Sequence, residues 1–290
     1  MNFRVGFHVS IAGGIQKSVT NALDIGCTAF QIFTRSPRQW HSKDLVEADV
    51  ELFKANLKKS GINKNSVAVH MPYLPNLSGP DGELFEKSLN SFTSELLRCS
   101  QLGIEYLVIH LGSHKDLGRE HGIKQLLKSC GQAVDNYKSA FKRKLDVTIL
   151  LENSAGQKGS IGSKLEDLGE ILDKLSSKTY CVCLDTCHAF AAGYDIRTKD
   201  GYVKYVLDVE AKIGLDKVFC WHFNDSKFGL GEKMDRHENI GEGHIGAEAF
   251  GFVLNDPHWK DLASYLEVPG YEDTGPDKPN IDKLNALRAS

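Results

Sequence analysis

Six strand-like stretches of this chain each finish on a histidine or a carboxylate: His70, His110, Glu152, Asp185, His222 and Glu267. Each lies two residues beyond a small or apolar side chain, namely Ala68, Val108, Leu150, Cys183, Cys220 and Tyr265. In a strand that spacing puts both residues on one face. A single His or Asp at a strand end is commonly a capping or hydrogen-bonding residue. Six at equivalent places are different, because burying them without a counter-charge is prohibitively costly. Imidazole and carboxylate together are the usual donors for zinc and neighbouring first-row metals. Two further clusters extend the set. Asp185-Thr-Cys-His188 places a second histidine three residues on, where a short helix or tightening loop could turn it to the same end. Asp235-Arg-His237 offers two ligand types at i, i+2, which one extended segment can chelate.

The other polar and sulfur groups fit this set less well. Cys181 and Cys183 lie deeper along their strand and suit packing, so a zinc-thiolate site is not expected. His41, His114, His121, His244 and His258 are expected on loops or the surface. His8 closes the first strand at the same end and is expected to be structural or to stand behind the ligands.

The elements that must position these groups alternate. Strand-like runs occur at 3–8, 28–34, 66–71, 104–111, 147–153, 180–186, 217–223 and 263–269. Between them, apolar residues recur at helical spacing over 14–25, 43–60, 84–102, 120–142, 163–176, 200–213 and 246–254. Asp81-Gly82 and Gly103 are start and stop signals for the third helix. Eight βα units in 290 residues favour a closed (β/α)8 TIM barrel over an open doubly wound sheet, as a single domain over 1–290. In such a barrel the six strand-end groups meet at the C-terminal mouth, where active sites lie. A last helix from the tail after 271 is expected to pack under or across the barrel.

Composition narrows the class. Hydrophobic residues at 41% and charged residues at 25% exclude disorder, collagen and coiled coil. No apolar run suits a signal peptide or approaches the ~18 residues of a membrane span, so a cytoplasmic protein with no membrane partner is expected. Seven cysteines, an odd number, fit reduced thiols better than a secreted disulfide framework. A net charge of −3 argues mildly against a polyanionic partner, unless bound cations reverse the sign locally.

The segments His70-Met-Pro-Tyr-Leu-Pro-Asn76, Cys183-Leu-Asp-Thr-Cys-His188 and Trp221-His-Phe-Asn-Asp-Ser-Lys227, the last continuing to Asp235-Arg-His237, resemble the three signatures of the endonuclease IV family. Its members are zinc-dependent apurinic/apyrimidinic (AP) endonucleases of DNA repair. HVSIAGG at 8–14, FTRSPRQW at 33–40, LLENSAGQ at 150–157 and GEGHIG at 241–246 extend the likeness over essentially the whole chain. Pro75, Ser78 and Val268 depart from the family pattern, and none of the three removes a ligand.

The resemblance implies a TIM barrel holding three Zn2+, with Mn2+ or Fe2+ compatible at one site. His70, His110 and Glu152 would hold the first. Glu152 would bridge to the second, also held by Asp185, His222 and Glu267, and His188, Asp235 and His237 would hold the third. Glu152 is then the catalytic residue, orienting a hydroxide between two metals that cuts the phosphodiester 5′ to an abasic site in duplex DNA. The products are a 3′-hydroxyl and a 5′-deoxyribose phosphate, and blocked 3′ ends are also cleaned. Arg38, Tyr73 and Leu74 resemble the residues that enter the DNA and fill the gap in the stack. No nucleotide cofactor is implied, and a monomer is. The competing readings are a xylose-isomerase-like, metal-dependent sugar isomerase and a non-catalytic DNA-damage binding protein. Five histidines among nine donors favour zinc, whereas isomerases favour oxygen-rich sites.

Overall fold

The computed structural model describes residues 3–175 and 178–289. Eight parallel strands close into a barrel, each paired with its neighbours on both sides. They are β1 (Arg4–His8), β2 (Ala29–Ile32), β3 (Val67–His70), β4 (Tyr106–His110), β5 (Thr148–Glu152), β6 (Tyr180–Asp185), β7 (Val218–His222) and β10 (Ala263–Leu266). A short antiparallel ribbon, β8 (Asp225–Ser226) with β9 (His237–Glu238), follows β7. The helices are α1 (Lys17–Asp24), α2 (Glu47–Ser60), α3 (Glu83–Leu102), α4 (Arg119–Phe141), α5 (Leu165–Lys174), α6 (Thr186–Ala192), α7 (Lys199–Lys212), α8 (Ala247–Leu254) and α9 (Lys278–Ala286).

All eight expected strands form, shorter by one to three residues where an end lacks a partner. The expected helices form as well. The one expected over 163–176 is helical over Leu165–Lys174, and residue 176 lies outside the described residues. Helix α3 follows Gly82 and ends at Gly103, whose φ of 71° lets its N–H reach back to the carbonyls of Cys99 and Ser100.

Strand alternation builds two buried layers. Ala29, Ala68, Val108, Leu150, Cys181, Cys183, Cys220, Ala263 and Tyr265 fill the barrel interior. Phe30, Val69, Leu107, Ile149, Val182 and Trp221 face outward and pack under the helices. The interior layer ends just below the mouth, so the next inward position on each strand is where the polar groups sit. All seven cysteines are free and buried. None of the described helices is long and apolar enough to cross a membrane.

One expectation is corrected. The tail helix α9 does not pass under or across the barrel; it stands on the outer wall beside α8. Asn280 accepts from the Ile240 N–H near its start, and Arg288, just beyond its end, donates to the Phe3 carbonyl. The last βα unit needs a helix over its own strand, and Ile281 and Leu284 supply the buried face.

Candidate metal centre at the barrel mouth

The strand-end groups meet. His70 Nε2 and His110 Nε2 lie 3.2 and 3.0 Å from Glu152 Oε2. His222 Nδ1 lies 3.0 Å from Glu152 Oε1 and 3.7 Å from both Asp185 Oδ2 and Glu267 Oε2. Glu152 therefore turns one oxygen to each group. The two flanking clusters join them. Asp185 caps α6 by accepting the His188 N–H, and that single turn brings the His188 ring back over the mouth. Asp235 Oδ1 lies 3.3 Å from the Nε2 atoms of both His188 and His237. All nine predicted side chains thus form one cluster.

Side-chain orientation suits cation binding. His70, His188 and His237 each donate from Nδ1 to a backbone carbonyl, of Met71, Asn153 and Glu267 at 2.6, 2.8 and 3.2 Å. In the neutral ring that leaves each Nε2 with a lone pair turned into the cluster, the arrangement found behind metal-ligating histidines. His237 Nε2 is buried and makes no hydrogen bond among the described residues. Asn224 donates to Asp185 Oδ2 at 2.6 Å and accepts the backbone N–H of Glu267, tying the Asp185 carboxylate to the Glu267 backbone. Donor chemistry, orientation and burial all fit a group of divalent cations.

The electrostatics agree. Burial alone would lower the His222 imidazole, but Glu267 and Glu152 outweigh it and push it up to about 10. His237 is likewise pushed up to about 9 by Asp235 and Asp185 against burial. Burial would raise the Glu267 and Glu152 carboxyls, yet the surrounding imidazoles, His222 foremost, hold both well below the usual range. Four carboxylates in one buried mouth demand positive charge.

The ribbon that carries His237 is itself anchored. Asp225 is fully buried, and its two oxygens accept backbone N–H groups from Ser226, Gly241, Ile245 and Gly246. It therefore folds the 241–246 loop against β8. Cys187 Sγ comes near Asp235 and His237, but burial pushes its thiol up to about 12 and it donates to the Arg236 carbonyl. It acts as a neutral packing group, as do Cys181 and Cys183.

Beside the cluster opens a cavity of about 340 Å³, lined by Tyr73, Leu74, Lys115, Glu152, Lys158 and Asp235 among others. Tyr73 and Leu74 stand at its rim, 54% and 38% exposed, with the Tyr73 ring centroid 5.7 Å from those of His70 and His110. Arg38 is exposed on the β2–α2 loop and does not line this cavity. Its loop is pinned from below: Arg35 pairs with the buried Glu95 at 2.7 Å, and Arg98 donates to the Thr34 carbonyl. Of the departing residues, Ser78 donates to the Leu111 carbonyl, Pro75 lines the cavity and Val268 is buried. His41, His244 and His258 are exposed, and His114 and His121 half-buried.

Three side chains at the mouth escape a search confined to His, Asp and Glu: Gln31, Asn153 and Asn224. Gln31 was recoverable, since it is in phase with Ala29 on β2 and so points into the barrel. Asn153 and Asn224 act through loop geometry that no strand period reveals.

The chain matches, over residues 19–289, the family described as xylose isomerase-like TIM barrel. It is 46% identical to a probable endonuclease 4 of Cenarchaeum symbiosum, over 98% of this chain and 99% of that one. A probable endonuclease 4 of Nitrosopumilus maritimus is also 46% identical, over 97% and 98%. Among solved structures, endonuclease IV from Thermus thermophilus superposes with a TM-score of 0.85 at 36% identity, covering 98% of both chains.

Proposed function

The chain belongs to the endonuclease IV family, and on that premise we propose that it is a DNA-repair AP endonuclease, hydrolysing the phosphodiester 5′ to abasic sites in duplex DNA. The reading extends to removal of blocking groups from 3′ ends, with 3′-hydroxyl and 5′-deoxyribose phosphate products. What supports it most is the gathering of five imidazoles and four carboxylates at one end of the barrel, beside a cavity with exposed Tyr73 and Leu74 at its rim.

His70, His110 and Glu152 would hold one zinc. Glu152, Asp185, His222 and Glu267 would hold a second, and His188, Asp235 and His237 a third, with manganese or iron compatible at one of them. When bound, these ions activate water near neutral pH and offset charge on the phosphoryl oxygens. Glu152 would contribute to two of the sites, one oxygen to each; no side chain would serve as the nucleophile. Three divalent ions also turn the formal −3 of the chain into about +3. Attraction for DNA is therefore centred on the mouth.

Selectivity follows from deformability. A nucleotide without its base has neither stacking nor pairing to lose, so its extrusion costs less than that of an intact one. Tyr73 and Leu74, exposed at the cavity rim, would fill the gap it leaves, as apolar wedges do elsewhere. Replacing Tyr73 by Ala is expected to weaken binding to abasic duplex by about 10-fold, in line with the loss of one aromatic stacking contact. Zinc content should stay at the parental level. Unchanged affinity, measured by fluorescence anisotropy, would remove the wedge from the account.

The direct test is incubation of the zinc-loaded protein with a duplex bearing one abasic analogue, with and without chelator. Cleavage at the 5′ side of the lesion, lost with chelator and restored by zinc, is expected. Binding without cleavage would point to a damage-binding protein. An inert duplex, with an aldose converted to its ketose in a parallel incubation, would point to a xylose-isomerase-like sugar isomerase.

A further inference from the structure

Three of the five mouth imidazoles take their orientation from backbone carbonyls, which no substitution removes. His222 does not. Its Nε2 lies 3.0 Å from Oε1 of Gln31, a side chain with 0% exposure on β2, the barrel strand next to β1 that supplies none of the nine donors. The same amide reaches two further groups. Gln31 Nε2 lies 2.9 Å from Glu267 Oε1 and 3.0 Å from His8 Nδ1.

These contacts fix the protons. The Glu267 carboxylate can only accept, so the amide atom facing it is the NH2 group. The amide oxygen therefore faces His222, and His222 Nε2 must carry the hydrogen that it accepts. The lone pair of a neutral His222 ring is then on Nδ1, the atom turned toward Glu152, Asp185 and Glu267. One amide thus sets the tautomer of one donor and the rotamer of another.

We propose that Gln31 is a positioning residue for the second of the three cation sites, acting through His222 and Glu267. The inference rests on the three-cation reading above. The two tasks need a side chain that accepts at one atom and donates at another, which the Gln31 amide does. Leu or Met would leave the His222 N–H buried without an acceptor, and Glu would accept from His222 but repel Glu267. Partners of this kind usually change metal affinity by about 10–100-fold.

The test compares the parental protein with Gln31→Met, which keeps bulk and removes the amide. Both are loaded with zinc and titrated with a competing chelator, and the remaining metal is counted by mass spectrometry. The variant is expected to release one of three zincs at about 10–100-fold lower chelator concentration. Its other two release curves should superimpose on the parental ones. A merely structural role would shift all three together, and that result overturns the proposal, as would three superimposed curves. Gln31→Ala serves the same comparison if the Met variant does not fold. A parental protein that holds no zinc would instead defeat the cation reading itself, which separates the two failures.

Discussion

Replacement of Glu152 by Gln is expected to lower cleavage of an abasic duplex by about 10³-fold or more, equivalent to about 4 kcal/mol of transition-state energy. Glu152 presents Oε2 to His70 and His110 and Oε1 to His222 and His188. Among the described residues it is the carboxylate that joins these groups. Gln keeps the shape but removes a charge and aims an N–H donor at one set of ligand atoms. The substitution would therefore weaken both of the proposed cation sites that Glu152 joins. Single-turnover cleavage should be measured with zinc counted on the same sample. A Gln variant that loads zinc normally and cuts at the parental rate would contradict the role given to Glu152.

Metal removal should have the largest effect on stability. A ligand that binds only the folded chain at a thousand-fold excess over its Kd contributes ~4 kcal/mol, and three such sites act together. Stripping is expected to lower Tm by about 10 °C or more. The difference should also depend on pH. In the stripped protein His222 and His237 are raised to about 10 and about 9. Their contribution is fully present below the ordinary histidine value of ~6.5 and is lost as pH rises through that upper window. Zinc binding runs the other way, because it requires unprotonated imidazoles and strengthens as pH rises. Calorimetry of loaded and stripped protein between about pH 6 and about pH 9 should show the gap widening. A gap that narrows would mean that these imidazoles do not hold the metal.

Most of this site was legible in the sequence because a barrel converts sequence period into spatial convergence. His70, His110, Glu152, Asp185 and His222 each occupy the last inward position of a strand, and Glu267 the first inward position past the end of β10. Counting by twos from an interior Ala, Val or Cys therefore finds them. His188 was legible through its spacing from Asp185, since an N-cap carboxylate starts the turn that brings the ring back. What escaped obeys other rules. Gln31 sits at an inward position but is neither acid nor base, so a search for charge passes over it. The four N–H groups gathered by Asp225 belong to a loop whose path is set by hydrogen bonding, not by hydrophobic period. The helix expected in the tail from 271 onward was placed under or across the barrel because its sequence shows one apolar face but not which wall lacks cover. Arg38 lies on the loop after the second strand, as expected, yet the Arg35–Glu95 pair that holds this loop links residues far apart in sequence, beyond any local pattern.

Nine side chains from six strands and two flanking segments are expected to cage a group of cations. Anomalous diffraction at the zinc edge from crystals of the purified protein tests this directly. Three peaks are predicted at the barrel mouth, the first ~2.0–2.1 Å from His70 Nε2 and His110 Nε2, the second at that distance from His222 Nδ1 and the third from His188 Nε2 and His237 Nε2. A mouth without peaks in zinc-replete crystals, or metal bound only elsewhere on the surface, would contradict it.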